Sequence, residues 1–480
     1  MISGKRRGSA RLLTATLVSG LAVVGTAAAA GPAVADDAPR SAGGVSATLG
    51  RITAGSEAVV HDRHRTSTVP AGLSEMRVEG GGSLQTYSVD VLTHAVEGAK
   101  YKETGWSESS LHANRNAGRV RWILQHSYPQ VNDLAALAKE AGTDTLDANS
   151  AAAGTQIAIW RYADSVEVST RDQAAAKLAD HLYRSAQDSE EPEASLTLSP
   201  AAVSGKSGGR LGPVSVRTNA SRVSLEAVGD AESKGVRIVD KDGNPVTTTG
   251  DGGEFYLDVR PGAAPGSIPV RATAATKVPV GRVFVGDQTK TQPQILAGSS
   301  ESTVTATADA TWAEQGAIPA LSARKNCERG GVDITADNRG DAPFAFELDG
   351  VRHTVPPGRS ETTLAKVGED QAYRFAVTGP EGLPGAFSGI LDCATGAGAE
   401  SAARGGKGAA ATTATVVSHV GPAPDRDARR DPRGFAGRRD LAATGGSSTT
   451  PTIAGIAIAL IVVGSGAVYL LRREKAASWE

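Results

Sequence analysis

The chain has 480 residues, with 50 Lys or Arg against 52 Asp or Glu and a formal net charge of −2. No basic stripe dominates, which argues against a nucleic-acid partner. Two cysteines, two methionines and 4% aromatic residues beside 57 glycines fit a sparse, strand- and loop-rich extracellular chain, and the length allows about three domains.

Lys5, Arg6, Arg7 and Arg11 precede an apolar, Ala-rich stretch over residues 12–30, and Ala33-Val34-Ala35 offers a small-residue cleavage site. Residues 1–35 therefore read as a secretory signal peptide. No cysteine follows the apolar stretch, so a lipoprotein anchor is excluded. The first domain spans residues 45–189 and is expected to be α+β. In it, Glu57-Ala58-Val59-Val60 and Leu84-Gln85-Thr86-Tyr87-Ser88-Val89-Asp90-Val91 read as strands, with Gly80-Gly81-Gly82 turning the chain into the second. His61, Asp62 and His64 lie beside Arg63 and Arg65 with no further ligand, which favours an exposed loop over a metal site. Leu134, Leu137 and Ala138 make a short helical face. Thr170 and Gln173 have the spacing of a capping box ahead of Ala174, Leu178 and Leu182. Trp106, Trp122 and Trp160 read as core aromatics.

Between the two helical patterns lies Ala151-Ala152-Ala153-Gly154-Thr155-Gln156-Ile157-Ala158-Ile159-Trp160. Thr155, Gln156, Ile157 and Ala158, followed by Trp160, resemble the TQxA signature of the thioester domains of Gram-positive surface adhesins. Tyr87 to Asp90 (YSVD), Tyr101 to Trp106 (YKETGW) and Arg121 to Gln130 (RWILQHSYPQ) resemble the same family in the same order. The resemblance implies an internal thioester between a strand cysteine and the TQxA glutamine, open to capture by amines. The glutamine maps to Gln156 and the cysteine to position 88, which is Ser88. Neither cysteine of the chain lies in this domain, so no thioester forms. A hydroxyl is a far weaker nucleophile than a thiolate and needs a positioned base. Ser88 and Gln156 therefore stand either unlinked or joined as an oxygen ester. Asp90 and His94 are not expected to complete a hydrolase triad with Ser88, because residues strung along one strand do not easily converge on one point.

Residues 194–312 read as a β-sandwich, with Val236-Arg237-Ile238-Val239 and Phe255-Tyr256-Leu257-Asp258-Val259 as strands and Lys241-Asp242-Gly243-Asn244 as a turn. Gly205-Lys206-Ser207-Gly208-Gly209 matches GxSxG by letters, but it lacks the strand-to-helix setting of a nucleophile elbow and reads as a strand connection. A second β-sandwich spans residues 320–396. Its strands are expected at Val332-Asp333-Ile334-Thr335, Phe344-Ala345-Phe346-Glu347-Leu348 and Tyr373-Arg374-Phe375-Ala376-Val377. Cys327 and Cys393 should pair in an oxidising exterior, closing a loop worth about 4 kcal/mol of denatured-state entropy. Residues 397–440 have no apolar period and read as a disordered wall-spanning linker.

At the C-terminus, Leu441-Ala442-Ala443-Thr444-Gly445 precedes an apolar run over residues 452–471 and then Arg472, Arg473 and Lys475. About 20 apolar residues can span a bilayer as a transmembrane helix, and a basic tail over residues 472–480 would stay cytoplasmic. Motif, span and tail in this order resemble a sortase sorting signal of the LAxTG type found in actinobacteria. The resemblance implies that sortase attacks the Thr444 carbonyl and passes the chain to peptidoglycan, the membrane-bound precursor lasting only until then. The sequence thus predicts a cell-wall-anchored, adhesin-like surface protein, not an enzyme, with no cofactor or metal. Its partners are sortase, peptidoglycan and an unknown surface ligand. Non-covalent display of a degenerate thioester domain, or a structural place in the wall, is the first function expected. A Ser88–Gln156 ester acting as a staple or weakly reactive adhesin is the alternative.

Overall fold

A computed structural model describes residues 43–61, 66–348, 350–376 and 386–394. The signal peptide, Asp62 and His64, the linker, the sorting motif, the apolar run and the basic tail lie outside the described residues. Among the described residues no helix is long and apolar enough to cross a membrane.

The first domain is α+β. Its strands are β1 (Ser46–His61), β2 (Thr66–Val78), β3 (Ser83–Ser88), β4 (Lys100–Thr104) and β5 (Glu167–Ser169). Its helices are α1 (Ala117–Gln125), α2 (Leu134–Ala141), α3 (Ala148–Ala163) and α4 (Gln173–Ser185). Gly80, Gly81 and Gly82 all take positive φ between β2 and β3, a conformation that other residues rarely adopt. The TQxA segment itself lies within α3. Helix α3 packs on α4, α1, β1 and β2. From Ala151 to Ala163 every residue except Arg161 is buried, so the helix is covered nearly all round.

Helix α4 starts differently from the sequence expectation. Its N-cap is Asp172, whose carboxylate accepts the amide protons of Ala174 and Ala175 at 3.0 Å each. Thr170 instead donates its hydroxyl to the Glu57 carbonyl at 2.8 Å. An aspartate next to the first turn offers a charged acceptor to the orphan amides and complements the helix dipole, so it takes the role from the more distant threonine.

The sheet of this domain is not built from residues 45–189 alone. Strands Val283–Gly286 and Gln294–Ser299 form a hairpin that inserts between β3 and β4, giving the order β2, β3, Gln294–Ser299, Val283–Gly286, β4, β1, β5. Because β1 also pairs with β2, six antiparallel strands close into a circuit. The sequence placed this hairpin in the second domain. Position along the chain points to the second domain, whereas the hairpin completes the first sheet and is buried on both faces there. Val283, Val285, Ile295 and Ala297 join the core beneath the helices, and Phe284 and Leu296 join the core shared with the second domain.

The rest of residues 196–313 forms two facing sheets. One orders as Val236–Val239, Glu254–Val259, Arg210–Thr218 and Leu196–Ser199. The other orders as Thr248–Thr249, Val223–Ala227, Gly266–Lys277, Glu301–Ala313 and Ala202–Lys206. Ser207, Gly208 and Gly209 connect two strands. The third unit has a three-stranded sheet, Pro319–Asn326, Gly331–Asn338 and Arg359–Lys366, plus two hairpins over a core that includes Val332, Ile334, Phe344 and Phe346. The Cys327–Cys393 disulfide joins its start to its end.

A buried ionic hub holds the first two domains together. Glu103, 4% exposed, accepts from the Val45 amide at 3.0 Å, the Ser195 hydroxyl at 2.7 Å and Arg282 Nε at 2.8 Å. Arg282 Nη1 also donates to Glu191 and the Pro192 carbonyl at 3.2 Å each. The hub thus ties the first strand, the interdomain linker and the inserted hairpin at one point.

Candidate functional site

Ser88 is the last residue of β3, and two neighbouring elements fix its position. On one side, Gln294 of the inserted hairpin pairs in register with Ser88, while the Thr86 hydroxyl donates to the Gln294 side chain at 3.1 Å. On the other, the Asp164 carboxylate at the end of α3 accepts the Val91 amide proton at 2.9 Å, and Asn114 donates to the final carbonyls of the helix at 3.2 and 2.8 Å. Tyr87 closes the floor by donating its hydroxyl to the Tyr128 carbonyl at 2.8 Å, and burial pushes its phenol pKa upward.

The structure brings Ser88 and Gln156 together. The Gln156 side chain is 1% exposed and meets the Ser88 backbone as a partner strand would. Its Nε2 donates to the Ser88 carbonyl at 2.9 Å, and its Oε1 accepts the Ser88 amide proton at 3.0 Å. The Ser88 hydroxyl also donates toward Oε1, at 3.4 Å. Thr155, the first letter of the motif, is fully buried and returns its hydroxyl to the Ala151 carbonyl at 2.8 Å, which satisfies it within the helix. Ile157 and Ala158 fill the core behind it.

Trp160 has a role beyond the expected packing. Its indole N–H donates to Ser88 Oγ at 3.0 Å. The spacing of four residues from Gln156 to Trp160 places both on one helix face, and that spacing was the available sequence signal. Among the described residues Oγ has two partners, the indole and the Gln156 carbonyl oxygen. Asp90 turns elsewhere: its carboxylate accepts from the Leu92 and Thr93 amides and the Thr93 hydroxyl. Among the described residues, neither a carboxylate nor an imidazole is hydrogen-bonded to the Ser88 hydroxyl to take its proton. Trp106 donates to the Gly281 carbonyl at 2.9 Å, and Trp122 stacks on His126 at 3.9 Å between ring centroids.

The arrangement holds a carboxamide, a potential acyl donor, in contact with a hydroxyl, a potential acyl acceptor. The Ser88 amide points at the oxygen on which charge would develop if Gln156 were attacked. Residues 85–188 match the family model of the thioester domain. Among solved structures, the Bacillus anthracis TIE protein is 13% identical over 73% of this chain and 81% of its own, with a TM-score of 0.26. The thioester domain of the Enterococcus faecium TIE86 protein is 18% identical over 56% of this chain and 97% of its own, also with a TM-score of 0.26. No curated protein matches the chain. The thioester-domain match ends at residue 188, so it covers Ser88, Gln156 and Trp160 but not the hairpin that completes their sheet.

A cavity of about 520 Å³ lies elsewhere, where the three domains meet. Lys102, Glu108, Arg282, Leu321, Lys325 and Phe387 are among its walls, and neither Ser88 nor Gln156 lines it. Burial lowers the pKa of Lys102 and of Lys325. Charges of both signs line it, so it defines no single ligand class.

Proposed function

We propose that the chain is an exported surface protein whose first domain keeps the thioester-domain fold without its electrophile and binds its ligand without a covalent bond. The observation that carries this is the bonding of Ser88. In the resemblance this position holds a cysteine; here it holds a hydroxyl that donates to the Gln156 carbonyl, accepts from Trp160 and has no base among its described partners. An unactivated serine is a poor nucleophile toward a carboxamide, which is itself a poor electrophile. The domain then acts as a binding or structural module rather than an enzyme. In this proposal sortase joins Thr444 to peptidoglycan, and residues 397–440 carry the folded part out through the wall.

The intact mass of the full chain tests the first claim. A mass equal to the processed sequence, allowing for the disulfide, is expected. A deficit of one ammonia that disappears in Gln156→Ala overturns it. The second function, a Ser88–Gln156 ester staple, would then stand, because the amide proton already on Oε1 could stabilise the tetrahedral intermediate through which Oγ displaces ammonia.

A further inference from the structure

Three carboxylates outside the Ser88 site have no part in the function proposed above. Glu369 and Asp370 form the turn between strands Arg359–Lys366 and Gln371–Ala376, and Asp392 follows strand Ala386–Leu391, next to Cys393. One oxygen from each lies within 4.8 Å of the others. We propose that these three residues bind a hard divalent cation of the calcium type.

Asp392 is the observation that points to a ligand. Its residue is 7% exposed, its carboxylate faces the other two, and no hydrogen bond or ion pair reaches it among the described residues. A buried carboxylate without a partner is costly, and a cation is what such a site lacks. The existing positive charge is insufficient: Lys290 pairs with Asp370, and Lys325 acts on Asp392 from beyond ion-pair distance. Glu369 is only half used. Its Oε1 accepts the amide protons of Cys393 at 2.7 Å and Ala394 at 2.8 Å, which leaves its other oxygen for a ligand.

Donor chemistry selects the ion. All three donors are carboxylates, and both cysteines of the chain are in the disulfide, so soft-ligand metals have nothing to favour them. Calcium takes oxygens at roughly 2.3–2.6 Å in flexible geometry, so two of its ligands lie at most about 5 Å apart, and the three oxygens fit around one ion as they stand. Magnesium demands a tighter octahedron and keeps more of its water. Lys290 comes from the loop of the inserted hairpin, so the ion would sit where the disulfide end of the third unit meets the first-domain sheet. Its role would be to stiffen that junction outside the cell.

Calcium titrated calorimetrically into the chelator-treated full chain tests the site. One ion per chain is expected, with a dissociation constant of roughly 0.1–1 mM, as in extracellular calcium modules. Asp392→Asn and Asp370→Asn should each weaken uptake by about tenfold or more. Two variants are used so that a folding failure in one leaves the other informative. Absence of saturable uptake below about 10 mM, or uptake unchanged in both variants, overturns the proposal.

Discussion

Ser88 shows how one atom decides between two chemistries in the same geometry. The Gln156 carbonyl is held by the Ser88 amide, and the side-chain oxygen lies 3.4 Å from Gln156 Oε1. What the site lacks is a nucleophile that works without a base. A thiol ionises several units below a serine hydroxyl and needs no such help. Ser88→Cys is therefore expected to lose one ammonia in its intact mass and to take up methylamine, while Ser88→Cys with Gln156→Ala does neither. A Ser88→Cys protein of unmodified mass would mean that the hydrogen-bonded pair is not poised for acyl transfer at all. The Trp160 indole on Oγ contributes to that poise, since it fixes the rotamer from which attack would start.

At the scale of elements, Gly154 sets how closely α3 approaches α4. A Cβ there would stand 2.7 Å from the Ala175 carbonyl oxygen and 3.1 Å from Leu178 Cβ. Alanine at an exposed helix position would gain about 1 kcal/mol over glycine. Here the clash is with backbone, and overpacking of this kind costs about 1–3 kcal/mol. Gly154→Ala is expected to lower stability by about 1 kcal/mol net, read as a fall in the thermal midpoint. A raised midpoint would show that α4 yields freely. The same helix explains what the sequence concealed. Being buried nearly all round, α3 has no polar face and hence no clear period, so only its motif letters marked it. Strands with one wetter face, such as Glu254–Val259 and Phe344–Leu348, show their alternation openly. The hairpin at Val283–Gly286 and Gln294–Ser299 is buried on both faces and did not, and pairing with a sheet begun some two hundred residues earlier leaves no local trace. Trp160 was legible as a core residue, but its bond to Ser88 depends on that distant register.

For the whole molecule, the Glu103–Arg282 hub concentrates the contact between domains. Removing one partner of a buried pair strands the other, at about 3–5 kcal/mol. Glu103→Gln is expected to cost about 3 kcal/mol, whereas Glu79→Gln, which breaks an exposed pair with Lys100, should cost less than about 1 kcal/mol. Chemical denaturation of both variants checks this, and equal losses would refute the weighting. The Lys206–Asp341 pair at 2.7 Å bridges the second and third domains on the surface, where solvent screening makes it a minor contributor.

The returning hairpin also bears on how such a protein can be inherited. A gene segment ending near residue 189 would encode an open circuit, with β3 and β4 presenting unpaired edges to any neighbouring chain. The first domain made alone would therefore be an aggregation hazard. The smallest portable cassette therefore runs from the first strand to about residue 313, so the Ser88 site and the sandwich beneath it must be exchanged, duplicated or lost together.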